Sequence, residues 1–466
     1  MLISRRAYFF GAGGAFVSRA ISLLSGVVSL WLLAQILSTD ALGHYVVTMS
    51  VVMLMGSLSS LGLERCMVLR IAEMRTEQGQ LLGCGMMLKI AALVLIFSAL
   101  LAGGIVLNFM STDASESVGR WVIWMILIVP TTALGLVLTG WYKANHRVGI
   151  SELMQGLVDG GRCLFLIGIF LCGLSAPWVA TAAVFATFLP LFVLTFAAWG
   201  NSQYGPQTFR IADVKSGLQF LLIRLSTMGL NQFGIIAVGI WATGLEAAQF
   251  AIAARLASLA AVGQPAFAST YVTRLRAHLA HKNHKAITSE FAASRVLTYL
   301  ITFFAVFVCY VFGAAALSAF GNFAGGYTAL LILMAGQIGY VAFGLSIEHL
   351  SMTDSLRVAV CIRVFCTALF VVLLIFLVPA FADIGAALAF LIASLTLSIA
   401  SAIALRHSDG PKGFSLLYVA SAFGVVGALV TAALVPQLWM FCLWLLIAIG
   451  VITILAERRT LIKILI

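Results

Sequence analysis

The sequence predicts an all-α integral membrane protein of about fourteen transmembrane helices, arranged as two six-helix halves and two further helices. Three observations carry that prediction. Of 466 residues, 62% are hydrophobic and only 9% are charged, whereas ordinary soluble domains carry ~25% charged residues. Uncharged runs long enough to span a bilayer, which takes ~20 apolar residues, recur from end to end: Ile90–Met110, Trp121–Gly140, Val296–Tyr327 and Phe414–Leu455. Lysine and arginine, finally, collect in alternate loops.

The expected spans run Tyr8–Gln35, Ala41–Arg65, Leu81–Met110, Trp121–Gly140, Ile150–Cys172, Trp178–Trp199 and Val214–Trp241. They continue as Glu246–Tyr271, Phe291–Phe320, Tyr327–His349, Ser355–Val378, Ile384–Arg406, Phe414–Leu434 and Leu438–Ala456. Helix is the expected conformation because lipid offers no partner to open backbone groups, and no alternating barrel strands occur. The N-terminal apolar stretch is too long for a signal-peptide core and reads as the first span.

Basic residues mark one side of the stack: Arg5 and Arg6; Arg65, Arg70 and Arg75; Lys143 and Arg147; Arg210 and Lys215; the Arg274–Lys285 loop; Arg357; Arg406 and Lys412; and Arg458, Arg459 and Lys463. The intervening loops are short and hold almost none, with Arg120 the exception. Positive loops stay in the cytoplasm, so both termini are expected there. The net charge of +11 is thus a topology signal, and nucleic-acid binding is not needed to explain it.

Landmarks recur about 205 positions apart: Arg19 and Arg224, Tyr45 and Phe250, Lys89 and Arg295, Leu164 and Leu369, Trp178 and Ile384. The repeat divides the chain into 1–205, 206–406 and a two-helix extension, 407–466. Six spans is an even number, so the halves share one orientation, with an axis along the membrane normal and a substrate site expected between them near the midplane.

Arginine at mid-bilayer costs ~2.5–3.5 kcal/mol and marks functional sites. Arg19, Arg224 and Arg255 fall near span centres. Small or polar stripes follow the first two: Ser22, Gly26 and Ser29 after Arg19, and Thr227 and Asn231, with Gln232 beside them, after Arg224. Such stripes also serve as helix-packing glue. Arg162 has Asp159 three residues before it, a pair read as structural. Arg363 lies nearer the cytoplasmic end and is expected to snorkel or to line a vestibule, and Lys89 and Arg295 are expected to snorkel. Asp159 is the one midplane acid, so the cavity should be cationic and its ligand anionic. Eight scattered cysteines include no metal-ligand spacing, no metal or cofactor is expected, and no catalytic constellation is found.

The segment from Leu32 to Glu73, with Gly43, Tyr45 and the "LGLER" run Gly62, Leu63, Glu64 and Arg65, resembles the opening of polysaccharide-export flippases. These belong to the multidrug/oligosaccharidyl-lipid/polysaccharide (MOP) superfamily, which includes the MATE transporters. The resemblance is strong over the first 75 residues and weaker through "WYKANHRVGISELMQGLVDGGRCLFLI". It implies two six-helix lobes that alternate access and flip undecaprenyl-diphosphate-linked oligosaccharide across the bacterial inner membrane. It further implies membrane lipids, a polysaccharide polymerase and chain-length machinery as partners. Lipid II flippases are the alternative within the superfamily, and cation-coupled drug antiporters a second, which would want embedded acids rather than arginines.

Overall fold

The computed structural model describes residues 5–64, 84–110, 125–145, 148–174, 177–199, 211–280, 283–353, 355–408, 411 and 416–465. Among these residues helix is the only regular secondary structure. The elements are α1 (Arg5–Ile36), α2 (Thr39–Ser59), α3 (Cys84–Met110), α4 (Ile128–Ala144), α5 (Val148–Leu171), α6 (Pro177–Trp199) and α7 (Ile211–Trp241). They continue with α8 (Gly244–Ala260), α9 (Gly263–Ala280), α10 (His284–Ala319), α11 (Tyr327–Val341), α12 (Ser346–Met352), α13 (Leu356–His407), α14 (Leu416–Leu434) and α15 (Trp439–Leu465). Helix occupies each of the fourteen expected spans. Eight helical windows among the described residues are long and apolar enough to cross a membrane, so the chain is a multi-pass membrane protein.

The structure refines two of the spans and bears out the break between two others. The eighth, expected as Glu246–Tyr271, is two helices, because α8 ends at the cap residue Ala261 and α9 begins at Gly263. The tenth ends at Val341; the chain turns through Gly344, at φ +71°, before the short α12. The eleventh and twelfth, which share α13, are separated where expected, by a break in helical geometry at Ala382 (φ 48°, ψ −123°). There Asp383 Oδ1 accepts from the backbone N–H of Ile384 at 2.9 Å, and Gly385 lies against the backbone of Leu377 and Val378. Pro379, three residues earlier, lacks the N–H that a continuous helix would use.

Local sequence signals set several helix starts. The Ser38 hydroxyl accepts from the N–H of Ala41 at the head of α2. Thr243 and Glu246 form a reciprocal capping box at the head of α8, satisfying backbone donors that the first turn leaves open. These two caps lie at equivalent places in the sequence repeat.

The contacts gather into two compact units, residues 24–236 and residues 1–23 with 237–466. In the 24–236 unit, α4 packs against α2, α3, α5 and α6. Its core joins Leu63, Met86, Ile90, Val137, Trp141 and Leu191. In the other unit α11 is central, packed by α8, α10, α13 and α14, with every residue from Ala329 to Gly336 buried. Gly336 and Gly339 bring α11 against Phe390 and Leu395 of α13, the close approach by which helices associate where no hydrophobic drive separates lipid from protein. The last two helices are integral to this unit: Tyr310 donates to the Trp439 carbonyl at 2.8 Å, and Gly450 meets the Phe303 ring.

Candidate functional site

The chain leaves α2 through a turn in which Leu61 (φ 50°) and Gly62 (φ 67°) both take left-handed backbone conformations. Gly62 can do so freely, having no Cβ. It also sits so close to α7 that a Cβ there would strike the backbone of Gly217 and Leu221. Leu63 then plugs into the core, fully buried. Glu64 follows, with its own Cβ 2.7 Å from where a Cβ on Gly140 of α4 would lie. The run Gly62-Leu63-Glu64 therefore docks α7 and α4 onto the end of α2.

That docking delivers Glu64 to Arg224. Arg224 Nη1 donates to Glu64 Oε1 at 2.8 Å, with side-chain exposures of 21% and 8%. The expectation that Arg224 would lack an acidic partner is corrected here. Glu64, placed from sequence in the LGLER run at the end of the second span and read as structural or secondary, reaches it because the left-handed turn redirects the chain toward α7. Arg65 lies outside the described residues. Arg19 is placed on α1, but its side chain is outside the described residues too.

One face of α7 carries Arg224, Thr227 and Asn231 at helical spacing. Asn231 is exposed and donates to the Thr227 carbonyl at 3.1 Å; Gln232 is half-buried. In the same unit Arg162 and Asp159 approach to 3.9 Å across one turn of α5, as their spacing led us to expect.

In the other unit Arg255 is half-buried on α8, and its carbonyl accepts from the Ser258 hydroxyl at 2.6 Å. Arg363 neither snorkels nor stands alone: its Nη2 meets Glu348 Oε1 of α12 at 3.4 Å, with exposures of 13% and 16%. Tyr340 lies beside this pair and bonds the Gln264 side chain. The sequence puts Glu348 at the very end of the expected tenth span, Tyr327–His349, away from the midplane, and so does not pair it with Arg363; the structure carries it on the short helix after Gly344. Burial pushes its carboxyl pKa up, against the opposing pull of the Arg363 guanidinium. Arg295 does not snorkel either. It is 9% exposed, wrapped over Gly344 and lying against the Tyr418 ring.

Among the described residues no His, Cys, Asp or Glu group has the geometry to hold a metal ion. The polar groups on view are guanidinium, carboxylate, amide and hydroxyl, a set suited to binding anions and hydroxylated ligands through charge-assisted bonds.

The fold is shared with solved multi-pass transporters. The lipid II flippase MurJ, in an inward closed conformation, aligns with a TM-score of 0.65 and 13% identity, over 96% of this chain and 98% of that one. An inward-facing multidrug resistance MATE transporter of the MOP superfamily aligns at 0.63 and 14%, over 83% of this chain and 94% of that one. A MATE transporter of Vibrio cholerae gives 0.60 and 16%, over 87% and 98%. These likenesses define the class by its fold: an all-α, multi-pass membrane protein of the architecture seen in MATE transporters and MurJ. No family model and no curated protein sequence matches the chain.

Proposed function

We propose that this protein is a flippase of the bacterial inner membrane that carries polyprenyl-diphosphate-linked oligosaccharide from the cytoplasmic to the periplasmic leaflet. The observation that carries the reading is Arg224: a half-buried guanidinium at the head of the polar stripe Thr227–Asn231, inside a membrane-spanning helix. A lipid diphosphate offers several strong acceptor oxygens, which arginine binds better than any other side chain. On this reading the repeat halves 1–205 and 206–406 are the alternating lobes, both termini are cytoplasmic, and residues 407–466 extend the second lobe. Arg19, Arg224, Arg255, Asn231, Gln232 and Arg363 line the path, the lipid tail stays in the membrane, and polymerase and chain-length machinery take the product. The lipid II flippase is the second reading. It is favoured by the extent of the likeness to MurJ, 96% of this chain against 83% for the MATE transporter.

The test is binding and flipping by purified protein in vesicles. Polyprenyl-diphosphate glycan should bind with affinity that falls as salt rises, and ethidium-like cations should not bind. Saturable binding of such cations without binding of the lipid diphosphate would move the assignment to a drug antiporter. Comparing an oligosaccharide of the polysaccharide type with lipid II separates the two flippase readings.

A further inference from the structure

Arg224 and Glu64 meet through one donor and one acceptor only. Nη1 donates to Oε1 at 2.8 Å, while Arg224 Nε and Glu64 Oε2 are both buried and have no hydrogen-bond partner. The atoms needed for a two-bonded pair are present, yet the second bond is not made. The cause lies in the backbone. Glu64 is pinned at its Cβ by Gly140, and the turn before it is pinned on α7 by Gly62, so the carboxylate meets the guanidinium from one fixed side. Arg224 Nε is left over as a donor, on the helix that carries Thr227 and Asn231 three and seven residues further on.

We propose that Glu64 is an internal counter-anion that masks Arg224, and that a phosphate oxygen of the ligand binds by taking Arg224 over from it. The proposal rests on the lipid-diphosphate reading of the site. An unmasked arginine in this setting would hold a diphosphate through paired charge-assisted bonds and release it slowly. A resident carboxylate held by a single bond yields to the more highly charged diphosphate and takes the guanidinium back when the diphosphate leaves. Glu64 thereby sets the balance between capture and release without touching the ligand, which makes it a positioning residue. Arg363 and Glu348 repeat the pattern in the other unit: one contact at 3.4 Å, with Glu348 Oε2 buried and partnerless.

The experiment measures binding to the full-length protein in nanodiscs, with inorganic diphosphate and polyprenyl diphosphate as separate probes. Glu64→Gln should bind both at least about tenfold more tightly than the unaltered protein, the worth of roughly one charge-assisted hydrogen bond. Glu64→Asp keeps the charge but is one methylene too short to reach Arg224. It should move the same way, and it serves if Glu64→Gln does not fold. Combining Glu64→Gln with Arg224→Gln should abolish the gain, which a purely structural pair would not produce. If the unaltered protein binds polyprenyl diphosphate and neither Glu64 variant binds it more tightly, masking is overturned and the flippase reading stands. If Glu64→Gln gains affinity for inorganic diphosphate while no variant binds the lipid, masking holds and the flippase reading falls. Binding of neither probe by any variant removes both.

Discussion

Arg295 places its guanidinium carbon 4.7 Å from the centre of the Tyr418 ring, joining α10 to α14 through a cation–π contact. The ring has no exposed surface and meets Tyr299 edge-on, centroids 5.2 Å apart at 79°. Tyr299 in turn shares a hydrogen bond of 2.9 Å with Ser421. A cation this deep is held by the aromatic face it lies on, so α14 is part of the packing that fixes the ninth span, beyond its place at the end of the sequence repeat.

Tyr418→Ala should therefore destabilise the protein by about 3–5 kcal/mol, the cost of emptying a buried aromatic site. Tyr418→Phe keeps the ring under Arg295 and should cost about 1 kcal/mol or less. Thermal unfolding in a mild detergent reads both. Identical melting of the Ala variant and the unaltered protein would mean that α14 does not support the unit.

Two glycines should be intolerant of even one methyl group. Gly62→Ala imposes a left-handed conformation on an L-residue, worth about 1–2 kcal/mol, and drives Cβ into the backbone of α7. Gly140→Ala pushes Cβ into Glu64. Gly160→Ala and Gly168→Ala meet nothing within 4 Å and should leave folded yield unchanged. Size-exclusion profiles that rank the four variants alike would contradict the close packing.

The helices were legible in the sequence because apolar run length and basic-loop alternation report directly on the bilayer. The breaks were less so. Gly344 turns the chain inside the expected tenth span, Tyr327–His349, whereas the break at Ala382 falls at the expected boundary between the eleventh and twelfth spans. Arg162 and Asp159 were paired correctly since three-residue spacing on a helix is a local fact. Glu64 and Arg224 are 160 positions apart, and nothing in either neighbourhood states that a left-handed turn at Leu61–Gly62 brings them together. The motif itself pointed to the place: glycine beside a buried leucine and an acid is the composition that such a docking turn requires. Arg295 was misjudged for a related reason, since its aromatic partner belongs to a helix outside the repeat.

Stability should depend on pH through His349. Burial lowers its imidazole to about 4, and the Tyr271 hydroxyl and His349 Nδ1 lie 2.6 Å apart. His349 lies on the short α12, beyond the apolar helix that ends at Val341. An unfolded imidazole titrates near ~6.5, so between there and about 4 the unfolded chain binds the extra proton. The stability contribution is complete above ~6.5 and is lost as pH falls through that window toward about 4. The slope of melting temperature against pH over this range should flatten in His349→Gln, and an unchanged slope would assign the dependence to another group.

Arg224 offers a way to separate folding from transport. Arg224→Ala leaves the Glu64 carboxylate, 8% exposed, without its counter-charge, and breaking a buried pair from one side costs about 3–5 kcal/mol. Loss of transport in that variant alone would be ambiguous, since a damaged fold would do the same. Removing both charges, Glu64→Gln with Arg224→Ala, leaves no ion stranded and should recover most of the melting temperature. Transport of polyprenyl-diphosphate glycan in vesicles should stay absent, because the guanidinium that meets the phosphate is gone. Arg224→Lys should fold and transport at an intermediate rate, keeping the charge while losing the planar fork. A double variant that melts normally and also transports normally would reduce Arg224 to a structural residue, and the diphosphate would then have to be bound by Arg19, Arg255 and Arg363 without it.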